Sequence, residues 1–224
     1  MKKIQAVIFD FDGVIVDTVP LYYKATKVIA DMLGVTFTSE MNQQLQGVNR
    51  KQTIMTLIKD STRTYSEQEV YELGEQKNEE YKKLIQNLDE KVVLPGIQSF
   101  LGELKKRGIP TAVASSSSNA PYLIEKIGLS SYFDHIVDVT KIKKGKPNPE
   151  IFLTAARQLQ IPPQDCIAIE DGRAGLEGIQ KANMFSVGVG EDEMMKNADL
   201  YVEKTEDLTF EKLAKSYDEF FQTK

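Results

Sequence analysis

The chain has 224 residues, of which 41% are hydrophobic and 27% charged, and its formal net charge is −5. This composition is typical of a globular protein with an apolar core, and its acidity argues against the basic surface that broad nucleic-acid binding requires. The single cysteine cannot form an internal disulfide bond, which indicates a reducing compartment.

The first predicted element is a strand over residues 4–9, whose side chains are apolar nearly throughout. Such a run is typical of a strand that is buried on both faces of a sheet. It is too short, and too soon interrupted by acidic residues, for a signal peptide or a membrane span. We therefore expect a cytoplasmic protein without membrane or nucleic-acid partners, and we expect it to be a monomer.

Two carboxylates, Asp10 and Asp12, follow this strand directly. Two acids this close to a buried strand end need a cation, and Mg²⁺ is the usual one beside phosphate. A carboxylate can also act as a nucleophile and form an aspartyl-phosphate. The competing interpretation is a turn that merely favours Asp and Gly, but it does not explain so apolar a run before it.

Residues 18–89 show helical periodicity and no convincing strand. Helices are predicted over about 20–33, 39–46, from Arg50 onwards, and from a capping box at Ser66 and Glu69 to about 86. A helical block of this size, inserted after the first strand, predicts a small separate domain over 18–89. The core domain would then comprise residues 1–17 and 90–224.

From residue 92 onwards, short apolar segments alternate with helical ones. Strands are predicted at 109–114, 136–139, 166–169, 185–189 and 200–202. This alternation predicts an α/β protein with a doubly wound, mostly parallel, Rossmann-like core.

Polar residues follow several of these strands. The serine run 115–118 and Asn119 lie between a strand end and a helix start, which suits an anion, although a flexible linker is the ordinary interpretation of such a run. Glu170 and Asp171 add oxygen ligands at a second strand end, although acids also suit a helix N-terminus. Lys146 belongs to a lysine cluster that would usually be solvated, but the prolines after it restrict its backbone.

Two cations in the helical block are hard to explain as scaffold. Lys77 occupies a position on the predicted apolar stripe of Val70, Leu73, Tyr81 and Leu84, where the alternative is that its stem packs and its ammonium reaches solvent. Arg50 in the first turn of a helix opposes the helix dipole, and a facing phosphate would resolve the conflict.

The stretch VIFDFDGVIVDT at residues 7–18 resembles the first motif of the haloacid dehalogenase superfamily, and the whole chain resembles its β-phosphoglucomutase-like branch. The resemblance implies a Mg²⁺-dependent enzyme in which Asp10 is the nucleophile and Asp12 the general acid/base. It also implies catalytic roles for Ser115 and Lys146, and a helical cap over the core. The implied metal ligands are the carboxylate of Asp10, the backbone carbonyl of Asp12, Glu170 and Asp171.

The same resemblance implies a phosphorylated hexose as the small-molecule partner. The implied substrate-binding residues are Thr18, Tyr22, Gly47, Arg50, Lys77, Ser116, Ser117 and Asn119. The expected reaction interconverts β-glucose 1-phosphate and glucose 6-phosphate through a bisphosphate. Tyr22 stands where the family often has a His, so a sugar-phosphate phosphatase is the alternative. A catalytically idle binding protein is a remote one.

Overall fold

The computed structural model describes residues 3–222. Within that range, six strands form one parallel sheet in the order β3-β2-β1-β4-β5-β6. The strands are β1 (Ala6–Phe9), β2 (Thr111–Val113), β3 (His135–Ile136), β4 (Cys166–Glu170), β5 (Phe185–Val189) and β6 (Leu200–Val202). The predicted α/β class and parallel sheet are therefore confirmed.

Nine α-helices accompany the sheet within the described residues. They are α1 (Val19–Met32), α2 (Ser39–Gln44), α3 (Arg50–Leu57), α4 (Glu67–Ile85), α5 (Ile97–Lys106), α6 (Ala120–Lys126), α7 (Glu150–Leu159), α8 (Arg173–Lys181) and α9 (Phe210–Gln222). The predicted capping box is present at the start of α4, where Ser66 and Glu69 bond reciprocally. None of the helices in residues 3–222 combines the length and apolar character that crossing a membrane requires.

The third strand differs from its prediction. The sequence predicts it over 136–139, but the strand covers only His135–Ile136. The N–H of Val137 still donates to the carbonyl of Val113 at 2.9 Å, and Val139–Lys141 then form a 3₁₀ turn. The side chain of Asp138 accepts the backbone N–H of Thr140 at 3.1 Å and caps that turn. This local hydrogen bond gives the backbone an alternative to the strand ladder.

Alternate residues of the strands enter two separate cores, as expected for a sheet buried on both faces. Large side chains such as Phe9 and Ile169 face the core that α5, α6 and α9 cover. Small ones such as Ala112 and Ala168 face the core that α7 and α8 cover. Helices on both faces make the sheet doubly wound.

The helices between β1 and β2 have apolar clusters of their own. Ile29 of α1, Ile54 of α3 and Val70 of α4 belong to a cluster separate from the two sheet cores. The two chain segments that connect these helices to the sheet pair with each other, since the N–H of Leu94 donates to the carbonyl of Ile15 at 2.9 Å. The division at residues 17/18 and 89/90 stays a prediction.

Strand order places the ends of β1 and β4 side by side. From β1 the chain continues to β2 and β3 on one side, and from β4 it continues to β5 and β6 on the other. In open α/β sheets, ligands bind beyond the carboxyl ends of the strands at such a switch point. Asp10 follows β1, and Glu170 and Asp171 end and follow β4. The fold thus brings together acids that are 160 positions apart in the chain.

Candidate active site

The centre of the site is a fully buried lysine between two acids. Lys146 Nζ lies 2.6 Å from Asp10 Oδ1 and 2.8 Å from Glu170 Oε2. All three side chains are almost completely excluded from solvent. Burial opposes the charged form of Lys146, but Asp10 and Glu170 outweigh it and raise the pKa of the ammonium above its ordinary value. Lys146 is therefore a fixed cation.

The acids outnumber this cation. One oxygen from each of Asp10, Glu170 and Asp171 lies within 4.8 Å of the others. Burial, followed by the nearby Asp10 charge, raises the pKa of Glu170 to about 7. Burial, followed by Glu170, raises the pKa of Asp171 well above its ordinary value. Because three buried carboxylates share one ammonium, the cluster fits a hard divalent cation with oxygen ligands.

Two glycines make room for this cluster. A Cβ on Gly13, whose φ is +81°, would lie 1.9 Å from Asp171 Oδ2. A Cβ on Gly175 would lie 2.0 Å from the carboxyl carbon of Glu170. Any larger residue at either position would push an acid out of the cluster.

Asp12 lies beside the cluster, with its carboxylate held by hydroxyl groups. Thr18 donates to Asp12 Oδ1 at 2.6 Å, and Tyr81 donates to the same oxygen at 3.3 Å. Ser115 Oγ lies 3.4 Å from the other oxygen, Oδ2. Burial, followed by the Asp10 charge, raises the pKa of Asp12 to about 6. A carboxyl group with such a pKa can both give and accept protons near neutral pH.

The serine-rich loop after β2 connects the sheet to the helices above it. Ser116 Oγ donates to the carbonyl of Gly47 at 2.7 Å, and Tyr22 donates to Ser117 Oγ at 2.7 Å. The amide of Asn119 donates to the side chain of Asn78 at 2.9 Å. These hydrogen bonds hold the helical block directly over the acidic cluster, so the flexible-linker interpretation of the serine run is wrong.

Lys77 is a second buried cation in the pocket, on the side of the helices. It is only 7% exposed, so its ammonium does not escape to solvent as the snorkelling alternative requires. The ammonium lies 4.8 Å from the centre of the Tyr22 ring, and it has no carboxylate partner in the part of the chain that the structure describes. Burial, followed by the Arg50 charge, lowers the pKa of Lys77 to about 8.

The buried face of α4 differs in part from the predicted stripe. Leu73 and Leu84 are only half-buried, whereas Gly74, Asn78 and Ile85 are buried beside Lys77 and the other stripe residues. The stripe is displaced because α4 packs against both α1 and α3. Polar Asn78 is accommodated there because Asn119 satisfies its side chain.

Arg50 has a partner that its sequence position did not predict. Its guanidinium forms an ion pair with Glu75 of α4 and donates to Ser118 Oγ at 3.0 Å. The first-turn conflict with the helix dipole is therefore already offset by an acid of this chain, and a phosphate is not needed to explain it.

These groups surround a cavity of about 550 Å³ between the sheet and the helices. The predicted site residues that line it are Asp10, Asp12, Tyr22, Gly47, Arg50, Lys77, Ser116, Ser117, Asn119 and Lys146. Thr18, Ser115, Glu170 and Asp171 lie behind this surface and contact residues that line it. The structure thus brings all the predicted site residues into one region.

Comparison with known proteins identifies the family. A family model for haloacid dehalogenase-like hydrolases matches residues 4–183. The chain is 42% identical over 218 residues to a β-phosphoglucomutase of Bacillus subtilis, covering 96% of each protein. The chain belongs to the haloacid dehalogenase-like hydrolase family. It is an enzyme of that family, whose members generally use Mg²⁺.

Other relatives include both mutases and phosphatases. A crystal structure of β-phosphoglucomutase from Clostridium difficile superimposes with a TM-score of 0.93 at 39% identity, covering 98% of this chain and 99% of that one. A phosphorylated-carbohydrates phosphatase of Thermotoga maritima is 30% identical over 187 residues, covering 80% of this chain and 82% of the relative.

Several residues of this haloacid dehalogenase-like site were not predicted from the sequence. Gln46 donates to Asp171 Oδ2 at 2.8 Å, so a side chain of the helical block reaches a candidate metal ligand. Tyr81 contacts Asp12, and Asn78 and Glu75 contact predicted substrate residues. Polar residues on the inward face of α4 were a signal, but only Lys77 among them stood out in the sequence.

Proposed function

We propose that this chain is a β-phosphoglucomutase, which interconverts β-glucose 1-phosphate and glucose 6-phosphate through phosphorylated Asp10. The observation that carries the proposal is a single cavity that has Asp10 and Lys146 among its lining residues on the sheet side and the cations Lys77 and Arg50 among those on the helical side. A hexose bisphosphate has a phosphate at each end, so one can react while the other is held.

In the first step, Asp10 attacks the phosphorus, the bond from phosphorus to the sugar oxygen breaks, and an aspartyl-phosphate forms. Lys146 contacts Asp10, so it opposes the negative charge where it develops. Asp10, Glu170, Asp171 and the Asp12 carbonyl would hold Mg²⁺, which would supply further positive charge to the transferring group.

Asp12 moves the protons. It protonates the leaving sugar oxygen in the first step and deprotonates the accepting hydroxyl in the second. The hydrogen bonds from Thr18 and Tyr81 both fall on Oδ1, which leaves Oδ2 as the oxygen that faces the serine-rich loop. We propose that this arrangement fixes the direction of proton transfer.

Ser115 would bind the transferring group, and Ser116, Ser117 and Asn119 would bind the phosphate or the sugar beside it. Arg50 and Lys77 would hold the phosphate that does not react. The backbone at Gly47 would approach the substrate closely. Thr18 would position Asp12, and Tyr22 would position Ser117, through their hydrogen bonds. We also propose that residues 18–89 form a cap domain over a core of 1–17 and 90–224. This cap would close over the core to exclude water during the reaction. We further propose that the protein is a monomer.

A second candidate function is a sugar-phosphate phosphatase, in which water accepts the phosphoryl group. Tyr22 favours it, because a phenol carries no positive charge in either protonation state, and burial, followed by Asp12, raises its pKa so that it stays neutral rather than anionic. It therefore adds no positive charge for holding a second phosphate, as a protonated His would.

The deciding experiment follows both products from β-glucose 1-phosphate with Mg²⁺ and a trace of the glucose bisphosphate. Formation of glucose 6-phosphate that requires the bisphosphate supports the mutase. Stoichiometric release of inorganic phosphate and glucose would refute it in favour of the phosphatase. Turnover of neither sugar nor aryl phosphate would identify an idle binding protein.

A further inference from the structure

Arg50 is held in a defined position in the pocket by α4. A Cβ on Gly74 would lie 3.1 Å from both Cγ and Cδ of Arg50, so the arginine stem packs where the helix has no side chain. One guanidinium nitrogen then pairs with the carboxylate of Glu75, the next residue of α4, and the other donates to Ser118 across the cavity. Adjacent residues of one helix thus provide both the space and the counter-ion for Arg50.

Lys77 and Arg50, the two cations on the helical side of the pocket, are consequently not equivalent. Lys77 is buried and has no acidic partner in the described part of the chain, whereas Arg50 is already neutralised. The Arg50–Glu75 pair is also more accessible, with side chains that are 29% and 38% exposed. A bound anion could pair with the ammonium of Lys77 directly, whereas at Arg50 it would compete with the carboxylate of Glu75.

We propose that Glu75 is a specificity-determining residue that sets the affinity of the Arg50 site for a ligand phosphate. Glu75 orients Arg50 when the site is empty, and a phosphate must share or displace it because two anions at one guanidinium repel. This inference rests on the proposed function, in which the non-reacting phosphate must be held and then released each time the bisphosphate turns around. Weak binding at Arg50 serves that exchange.

The test is the variant Glu75→Gln, which keeps the shape of the side chain and removes its charge. Binding of glucose 6-phosphate is measured by calorimetry in the presence of Mg²⁺, in an Asp10→Asn background so that no turnover occurs. An ion pair this accessible contributes modestly, so we expect binding to tighten about two- to fivefold. Arg50→Ala should weaken binding, and adding Glu75→Gln to Arg50→Ala should then have no effect.

Glu72→Gln is the matched control, because Glu72 lies one turn earlier on α4, is exposed and accepts a hydrogen bond from Gln68. It removes the same charge from the same helix and should leave binding unchanged. The proposal is overturned if Glu75→Gln has no effect, weakens binding as Arg50→Ala does, or matches Glu72→Gln. These binding results stand apart from the product assay, so release of free phosphate by the enzyme would refute the mutase without deciding the role of Glu75.

Discussion

The pocket holds one buried lysine on the side of the sheet, here called the sheet end, and another on the side of the helices, here called the helical end, and their surroundings are opposite. At the sheet end, Lys146 contacts two carboxylates, which raise the pKa of its ammonium. At the helical end, Lys77 lies over an aromatic ring, and burial lowers its pKa to about 8. Both side chains are almost entirely buried. Because both lysines are buried, the acidic partners decide whether the pKa of the ammonium is raised or lowered.

The difference shows what each end lacks. The sheet end has three acids around one ammonium and is short of positive charge. At the helical end, Lys77 has no carboxylate within ion-pair distance among the described residues, and the more distant Asp12 charge offsets only part of the effect of its burial. A metal ion at one end and a ligand phosphate at the other would balance both, which is why the two ends together point to a phosphorylated substrate.

The largest effect is expected from removing the reactive carboxylate at the sheet end. Asp10→Asn keeps the shape of the side chain but cannot form an aspartyl-phosphate, so turnover should fall by at least about a thousandfold. Circular dichroism should show an unchanged fold. Near-normal turnover in a folded variant would contradict covalent catalysis at Asp10.

Lys146→Met should lower the free energy of unfolding by disrupting the acidic cluster at the sheet end. It leaves Asp10 and Glu170 buried without their cation, and removing one partner of a buried pair costs about 3–5 kcal/mol. Denaturant unfolding with and without Mg²⁺ measures this cost, and Mg²⁺ should stabilise the variant more than the wild type. An unchanged free energy of unfolding would mean that the cluster does not need the lysine charge.

Lys77→Met should stabilise the protein, whereas Lys146→Met destabilises it. It keeps an apolar stem and removes a charge whose burial is unfavourable, so near pH 7 the free energy of unfolding should rise by about 2–3 kcal/mol. The pKa of Lys77 is about 8 in the folded protein, below the ordinary 10.5. Between these pH values the unfolded wild type binds more protons than the folded one, so the free energy of unfolding of the wild type increases with pH. The advantage of the variant should therefore shrink from pH 8 to 10.5.

Lys83→Met provides a control on the same helix, because Lys83 is exposed and pairs with Glu80. It should show no such pH-dependent gain. In activity assays, Lys77→Met should lower turnover of hexose phosphate strongly and spare an aryl phosphate, which has no second group to reach the helical end of the pocket. Loss of stability together with equal losses on both substrates would make Lys77 structural.

Sequence reasoning predicted the sheet end well. Asp10, Ser115 and Glu170 each follow or end a short apolar segment, and parallel strands place their carboxyl ends at one edge. Lys146 lies outside any strand, and its role came from the family resemblance. Its ammonium contacts Asp10 and Glu170 in the structure, whereas its catalytic role stays a prediction.

The helical end was predicted less completely. Glu75 is one of many acids on an exposed-looking helix, and its partner Arg50 is 25 positions away on a helix that packs against it. Gln46 lies in a loop, and its contact with Asp171 spans 125 positions. No periodicity encodes such contacts, because they depend on how the helices pack and on how the helical block lies over the sheet.

Cys166 gives the sheet a built-in chemical reporter. It is the only cysteine in the sequence and begins β4, the strand that ends at Glu170. Burial, followed by the Asp165 charge, raises the pKa of its thiol to about 12, which leaves almost no thiolate to react with an alkylating reagent. Labelling of the native protein therefore reports the opening of β4, and ligands that bind at the far end of the strand should slow it.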